Sequence, residues 1–134
     1  MKVITLIQPW ATLVALGEKK IETRSWSTNF RGRIAIHAGK KIDRSVFGQP
    51  YYLEVFQKYS ITPANIITSS IIATCRIGDV KRTEELIDKI SNQEFAFGNY
   101  EPNRYGWILD DLNLIKPIEG VKGTLGFWNY NVEK

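Results

Sequence analysis

Lys19, Glu22 and Arg24 place two cations and a carboxylate within six positions, directly after Gly17. On a strand, Glu22 and Arg24 share a face because side chains alternate, and a lysine just ahead of that strand can reach the carboxylate. Each charge then supports the ionised form of its neighbour. Such a cluster can neutralise a phosphate or hydrogen-bond a base edge through the guanidinium, and Arg33 supplies a further cation. The alternative for Glu22 is structural, a buried ion-pair network that fixes a cleft wall. Trp10 and Trp26 flank the cluster, and Tyr100 and Tyr105 are further aromatics. A stacked base gains roughly 1–3 kcal/mol from such a ring. His37 shares a strand face with Arg33, where it either reaches the same cleft or is a satisfied structural group.

The charge distribution directs attention to the same stretch. Net charge is only +4, yet residues 19–44 hold eight basic side chains against Glu22 and Asp43, while the remainder holds ten basic and twelve acidic. Cys75 has no cysteine to pair with, and His37 is the lone histidine, so no four-ligand zinc site of the Cys/His kind can be built. No metal and no cofactor is expected, although magnesium held by carboxylates or a substrate phosphate needs few protein ligands. Cys75, in an apolar run, is expected in the core as an inert thiol. No apolar run approaches the roughly 18–20 residues of a membrane span, and the first residues already read as a strand, so a cytoplasmic protein without membrane contact is expected.

The elements that must position the cluster follow from pattern. At 134 residues with 43% apolar and 12% aromatic content, the chain is expected to fold as one domain, 1–134. A first strand over residues 2–7 leads into Pro9-Trp10 and a short helix closed by Gly17. Strands are expected at 21–26 and 33–37, joined as a hairpin through Asn29-Phe30-Arg31-Gly32. A helix is expected over 44–59 with Asp43 as cap, interrupted in its first half by Gly48 and Pro50, then a helical turn at 62–65. A central strand over 70–80 is followed by a helix over 83–90, and a strand from 105 is broken at Asp110 by a bulge or turn before resuming at 112–118. Strands and helices without regular alternation exclude a doubly wound parallel sheet.

The stretch Gly17-Glu18-Lys19-Lys20-Ile21-Glu22-Thr23-Arg24 resembles the GxKxxExR signature of ASCH domains, with all four fixed places matched. The resemblance extends through Gln8-Pro9-Trp10-Ala11, the run from Gly32 to Ala38, Tyr105-Gly106-Trp107-Ile108-Leu109, and Leu125-Gly126-Phe127-Trp128, as in bacterial and phage stand-alone members. It implies an α+β fold, a PUA-like mixed β-barrel of five or six strands with two or three flanking helices. It also implies a cleft between barrel and helices, lined by the signature residues, that binds RNA or a modified nucleotide, with DNA as an alternative partner. The expected ligand contacts are Trp10, Lys19, Glu22, Arg24, Trp26, Arg33 and His37.

One ASCH-like branch is an amidohydrolase acting on N4-acetylcytidine through a Lys-Thr-Glu set. Lys19 matches its lysine, but Glu22 stands where its threonine would be, and the neighbouring Thr23 points to the opposite strand face. Glu94 falls near the remaining glutamate. If the chain is an enzyme, an amidohydrolase or ribonuclease, the catalytic candidates are therefore Lys19, Glu22 and Glu94. A third class, a protein-interaction module, would use the acidic region 79–88.

Overall fold

The computed structural model describes residues 1–132. β1 (Lys2–Gln8) runs parallel to β3 (Gly32–Ile42), with Val3 opposite Ala35 and Thr5 opposite His37. β3 pairs antiparallel with β4 (Ser70–Arg82), which pairs antiparallel with β5 (Tyr105–Glu119). β2 (Ile21–Arg24) lies on the other side of β5, and the two-residue β6 (Trp128–Asn129) lies beside the start of β1. The order β2-β5-β4-β3-β1-β6 makes a mixed six-stranded sheet, so the α+β class and the strand count are as expected. The sheet has two ends and hydrogen bonding does not close it into a barrel. Arg24 nevertheless spans the open side, its Nη2 donating from β2 to the Thr5 carbonyl of β1 at 2.9 Å.

Among the described residues, four α-helices accompany the sheet rather than two or three: α1 (Trp10–Ala15), α2 (Pro50–Tyr59), α3 (Thr83–Leu86) and α4 (Asn92–Ala96). The helix expected over 44–59 divides at Gly48. Its first part is a 3₁₀ turn, Arg44–Val46, whose Asp43 cap accepts from the Ser45 N–H at 3.0 Å, and its second begins at Pro50, a residue suited to a first helical turn. α3 stops at Leu86, short of the expected end at residue 90. The five-residue α4 is too brief to carry an apolar repeat.

The expected hairpin between β2 and β3 does not form. β2 pairs with β5 instead, with Glu22 opposite Trp107 and Arg24 opposite Tyr105. Residues 25–31 are used for packing rather than turning: Trp26 stands edge-on to Trp107 at 4.9 Å and to Phe127 at 5.8 Å, and Phe30 also meets Phe127. Packing these rings against the main core, even half-buried, removes apolar area that a tight turn here would leave in water. The irregularity expected at Asp110 is present. Register shifts between Thr74 and Arg76 along the β4–β5 pair, and Asp111 takes a left-handed φ of 52°.

The main core lies on the inner face of the sheet and collects Ile4, Leu6, Ile34, Ile36, Ile77 and Trp107 with α1 packed against them. Cys75 belongs to this core, fully buried, and loss of solvation pushes its thiol up to about 12. A second cluster joins Leu13 of α1 to Tyr52, Val55 and Phe56 of α2 and to Phe97 beyond α4. Among the described residues no helix is long and apolar enough to cross a membrane.

Candidate functional site

The signature residues owe their positions to a sharp exit from α1. Gly17 adopts φ 77°, the left-handed conformation that closes a helix at little cost only for glycine, and the N–H groups of Glu18 and Lys19 both return to the Leu13 carbonyl at 3.0 Å. At the other end of α1, the fully buried Gln8 side chain accepts from the Thr12 N–H at 2.9 Å and donates to the Ile67 carbonyl at 2.7 Å. The helix is therefore pinned at both ends although it has only six residues. This fixes where the chain enters β2.

Glu94 holds the next step. Its carboxylate, 8% exposed, accepts from the Lys20 N–H at 3.0 Å and from the Ile21 N–H at 3.1 Å. Those donors stand at the first rung of the β2–β5 ladder and just before it, so Glu94 docks α4 onto the start of β2. Ser91 caps α4 by accepting from the Glu94 N–H at 3.0 Å. The short helix presents its carboxylate from a fixed place.

Lys19 is then drawn inward until only 2% of it is exposed. Its Nζ donates to the Ile21 carbonyl at 2.6 Å and lies 4.0 Å from Oε1 of Glu22. Burial lowers the lysine pKa from its ordinary value; Glu22 and Glu94 oppose that shift and Arg24 adds to it. Glu22 gives its other oxygen, Oε2, to Nε of Arg24 at 2.9 Å. The result is a chain of charge, Lys19 to Glu22 to Arg24, ending on the backbone of β1.

These three groups line a cleft of about 1250 Å³ bounded by β1, β2, the loop after α4 and the segment 120–126. Trp10 and His37 line it as well. Trp10 is half-buried and held at its edge, its Nε1 donating to the Tyr52 hydroxyl at 3.1 Å, and that hydroxyl donates onward to the Ala96 carbonyl at 2.9 Å. His37 is 1% exposed, and its Nε2 donates to the Val121 carbonyl at 2.7 Å. It thereby anchors the 120–126 wall, and Gly123 sits so close that an added Cβ would lie 2.6 Å from Oγ1 of Thr5 and 2.9 Å from the imidazole.

Three sequence candidates lie elsewhere. Trp26 is packed among Trp107 and Phe127 and does not line the cleft. Arg33 faces the β4–β5 bend, where Nη1 donates to Asp111 at 2.7 Å and Nη2 to the Thr74 hydroxyl at 3.0 Å. Glu94 is occupied by backbone donors and is not a lining residue. Among the described residues no three His, Cys, Asp or Glu side chains converge as a metal site.

Sequence reasoning missed Lys40, Arg104 and Lys122, which also line the cleft. Lys40 lay within the basic segment 19–44, but Arg104 and Lys122 had no local signal because tertiary folding alone brings them there. Among the described residues the cleft holds five basic side chains against the single carboxylate of Glu22; set aside, they leave 13 basic and 13 acidic residues in a chain of 18 and 14. The positive excess of the protein therefore resides in the cleft.

The family model for the ASCH domain matches residues 4–119. A crystal structure of ASCH from Zymomonas mobilis superposes with a TM-score of 0.53 at 19% identity, covering 88% of this chain and 72% of that one. Crystal structures of two point variants of the same bacterial protein give TM-scores of 0.52 and 0.51 at 18% and 19% identity, each over 88% of this chain and over 74% and 72% of theirs. At that identity the likeness is one of fold. A search among curated protein sequences finds no match.

Proposed function

The chain belongs to the ASCH domain family, and from that premise we propose that the cleft binds single-stranded RNA by receiving one base at its floor. ASCH domains are in general taken to be RNA-binding, which supports the ligand class. The observation that carries the reading is the coincidence of the cleft with the chain's entire positive excess. Lys19 and Arg24 supply donors at the floor, Oε1 of Glu22 supplies an acceptor, and the half-buried Trp10 supplies a ring beside them. Donors and an acceptor a few ångströms apart suit a base edge, and an aromatic wall suits its face. A nucleotide carrying a modified base would use the same groups.

The test is fluorescence anisotropy with a labelled single-stranded RNA at two salt concentrations. Arg24→Ala and Lys19→Met are each expected to weaken binding at least tenfold, as removal of a charge-assisted hydrogen bond should. Retained affinity in both variants, or no RNA binding by the parent protein, would overturn the proposal.

A hydrolase is the second reading, favoured by one observation: the Lys19 side chain is buried beside the cleft, and burial favours the neutral amine, the form that can accept a proton. Thr23 is a poor substitute nucleophile, since its hydroxyl accepts from the Asn99 N–H at 2.9 Å, and Glu94 is committed to backbone. Turnover of RNA or acetylated cytidine that is abolished in Lys19→Met would establish it; no product under any metal condition would remove it.

A further inference from the structure

Outside the cleft, four arginines are matched to carboxylates: Arg33 to Asp111, Arg76 to Asp110, Arg31 to Asp79 and Arg82 to Glu84. The cleft rim instead gathers three unpaired cations around one concavity whose single carboxylate, Glu22, is already engaged by Lys19 and Arg24. Among the described residues, Lys40, Arg104 and Lys122 form no ion pair. Among the described residues the Arg104 side chain makes one hydrogen bond, from Nε to the Asn99 carbonyl at 3.2 Å, which leaves the outer guanidinium nitrogens open. Unmatched cations around a concavity repel one another and raise the local concentration of anions.

The three do not converge on one point. Lys40 ends the cleft-facing part of β3, Arg104 immediately precedes β5, and Lys122 sits in the 120–126 wall. Three elements contribute one cation each, a distribution that suits several anionic groups along a chain better than one phosphate in a nest. Size agrees, because about 1250 Å³ exceeds the roughly 300–1,000 Å³ of a small-molecule pocket.

We propose that Lys40, Arg104 and Lys122 form a phosphate track, and that the ligand is a single-stranded oligonucleotide of several nucleotides rather than a free nucleotide. This rests on the base-binding floor proposed above, and adds flanking phosphates on both sides of the bound base. The strand must be single because a base held at the floor is unavailable for pairing. An acidic peptide would also satisfy the rim, but it offers no planar base for Trp10 and the donor–acceptor floor.

The experiment titrates the full chain with a mixed-sequence RNA hexamer and with the nucleoside 5′-monophosphates of its bases, across a salt series. The hexamer should bind at least tenfold tighter than any monophosphate. In the triple variant Lys40→Ala, Arg104→Ala, Lys122→Ala, the salt slope should fall by about two, since each phosphate neutralised on a single strand accounts for about 0.7. Lys89→Ala with Lys116→Ala removes two exposed cations that line no part of the cleft and should leave the slope unchanged. Monophosphates as tight as the hexamer, an unchanged slope in the triple variant, or an equal fall in the control would overturn the track. Polyglutamate competing as well as RNA would replace the oligonucleotide with an acidic peptide. If only the floor is misassigned, Arg24→Ala will leave hexamer binding intact while the triple variant still lowers the slope.

Discussion

The cleft and the exposed surface of the β4–β5 ladder are both rich in charge, but they treat it in opposite ways. On the ladder, Asp79, Asp110 and Asp111 each meet an arginine, and Asp79 meets Lys81 as well. These pairs are exposed, each worth at most about 1 kcal/mol, and their main effect is to leave the face close to neutral. In the cleft a single carboxylate serves Lys19 and Arg24 together, and the rim cations have none. A count of lysines and arginines along the sequence cannot tell these regions apart, since residues 19–44 contribute Arg31 and Arg33 to the neutral face and Lys40 to the charged one. Unpaired cations gathered around one concavity separate a binding surface from a merely charged one.

The sharpest way to break the cleft while sparing the β4–β5 ladder is Glu94→Ala. Two backbone N–H groups at the entry to β2 would be left without their acceptor in a buried place, at a cost of about 2–4 kcal/mol. Urea unfolding should show the midpoint falling accordingly, and Glu94→Gln, which keeps one acceptor oxygen, should fall about half as far. Equal stability of Glu94→Ala and the parent would mean that the docking of α4 does not position the signature.

That role for Glu94 marks where the sequence was legible and where it was not. Gly17, Lys19, Glu22 and Arg24 could be read together because local spacing places them, a helix exit followed by a strand face. The class and the strands β1 to β5 could be read because apolar alternation persists through β3, β4 and β5, whereas the two-residue β6 left no pattern to read. The partner of β2 could not, because it lies more than eighty residues away and Trp26 and Phe30 convert an expected turn into core. Glu94 was visible as a carboxylate but not as a backbone acceptor, which depends on a five-residue helix without periodicity. Arg104 and Lys122 join the cleft through tertiary folding alone.

A smaller effect should come from acid, acting on the wall of the cleft rather than its floor. His37 Nε2 faces a carbonyl and must carry hydrogen, so Nδ1 accepts from the Thr5 hydroxyl at 3.1 Å, and that hydroxyl accepts from Nε1 of Trp128 at 3.1 Å. The chain is satisfied with neutral imidazole. Burial lowers the His37 pKa below its ordinary 6.5, partly opposed by the Val121 carbonyl. The unfolded chain then takes up a proton more readily than the folded one, so this stability is present above about 6.5 and declines as pH falls toward the lower folded value. Thermal melts between pH 5 and pH 7.5 should show the decline in the parent and a flatter profile in His37→Gln. An identical profile in both would show that the imidazole does not anchor residues 120–126.

The smallest expected effect is the most discriminating between the two regions. Arg33→Ala removes a cation from the basic stretch of the sequence, yet in the fold its guanidinium is spent on Asp111 and Thr74. It is one-third exposed and Asp111 is two-thirds exposed, so the pair is solvent-screened and stability should change by no more than about 1 kcal/mol. Binding of single-stranded RNA should stay within about twofold of the parent, with an unchanged salt slope, because a phosphate at Arg33 would have to displace Asp111 first. A tenfold weakening would show that nucleic acid runs over the β4–β5 ladder as well. The distinction between matched and unmatched cations would then not mark the binding surface.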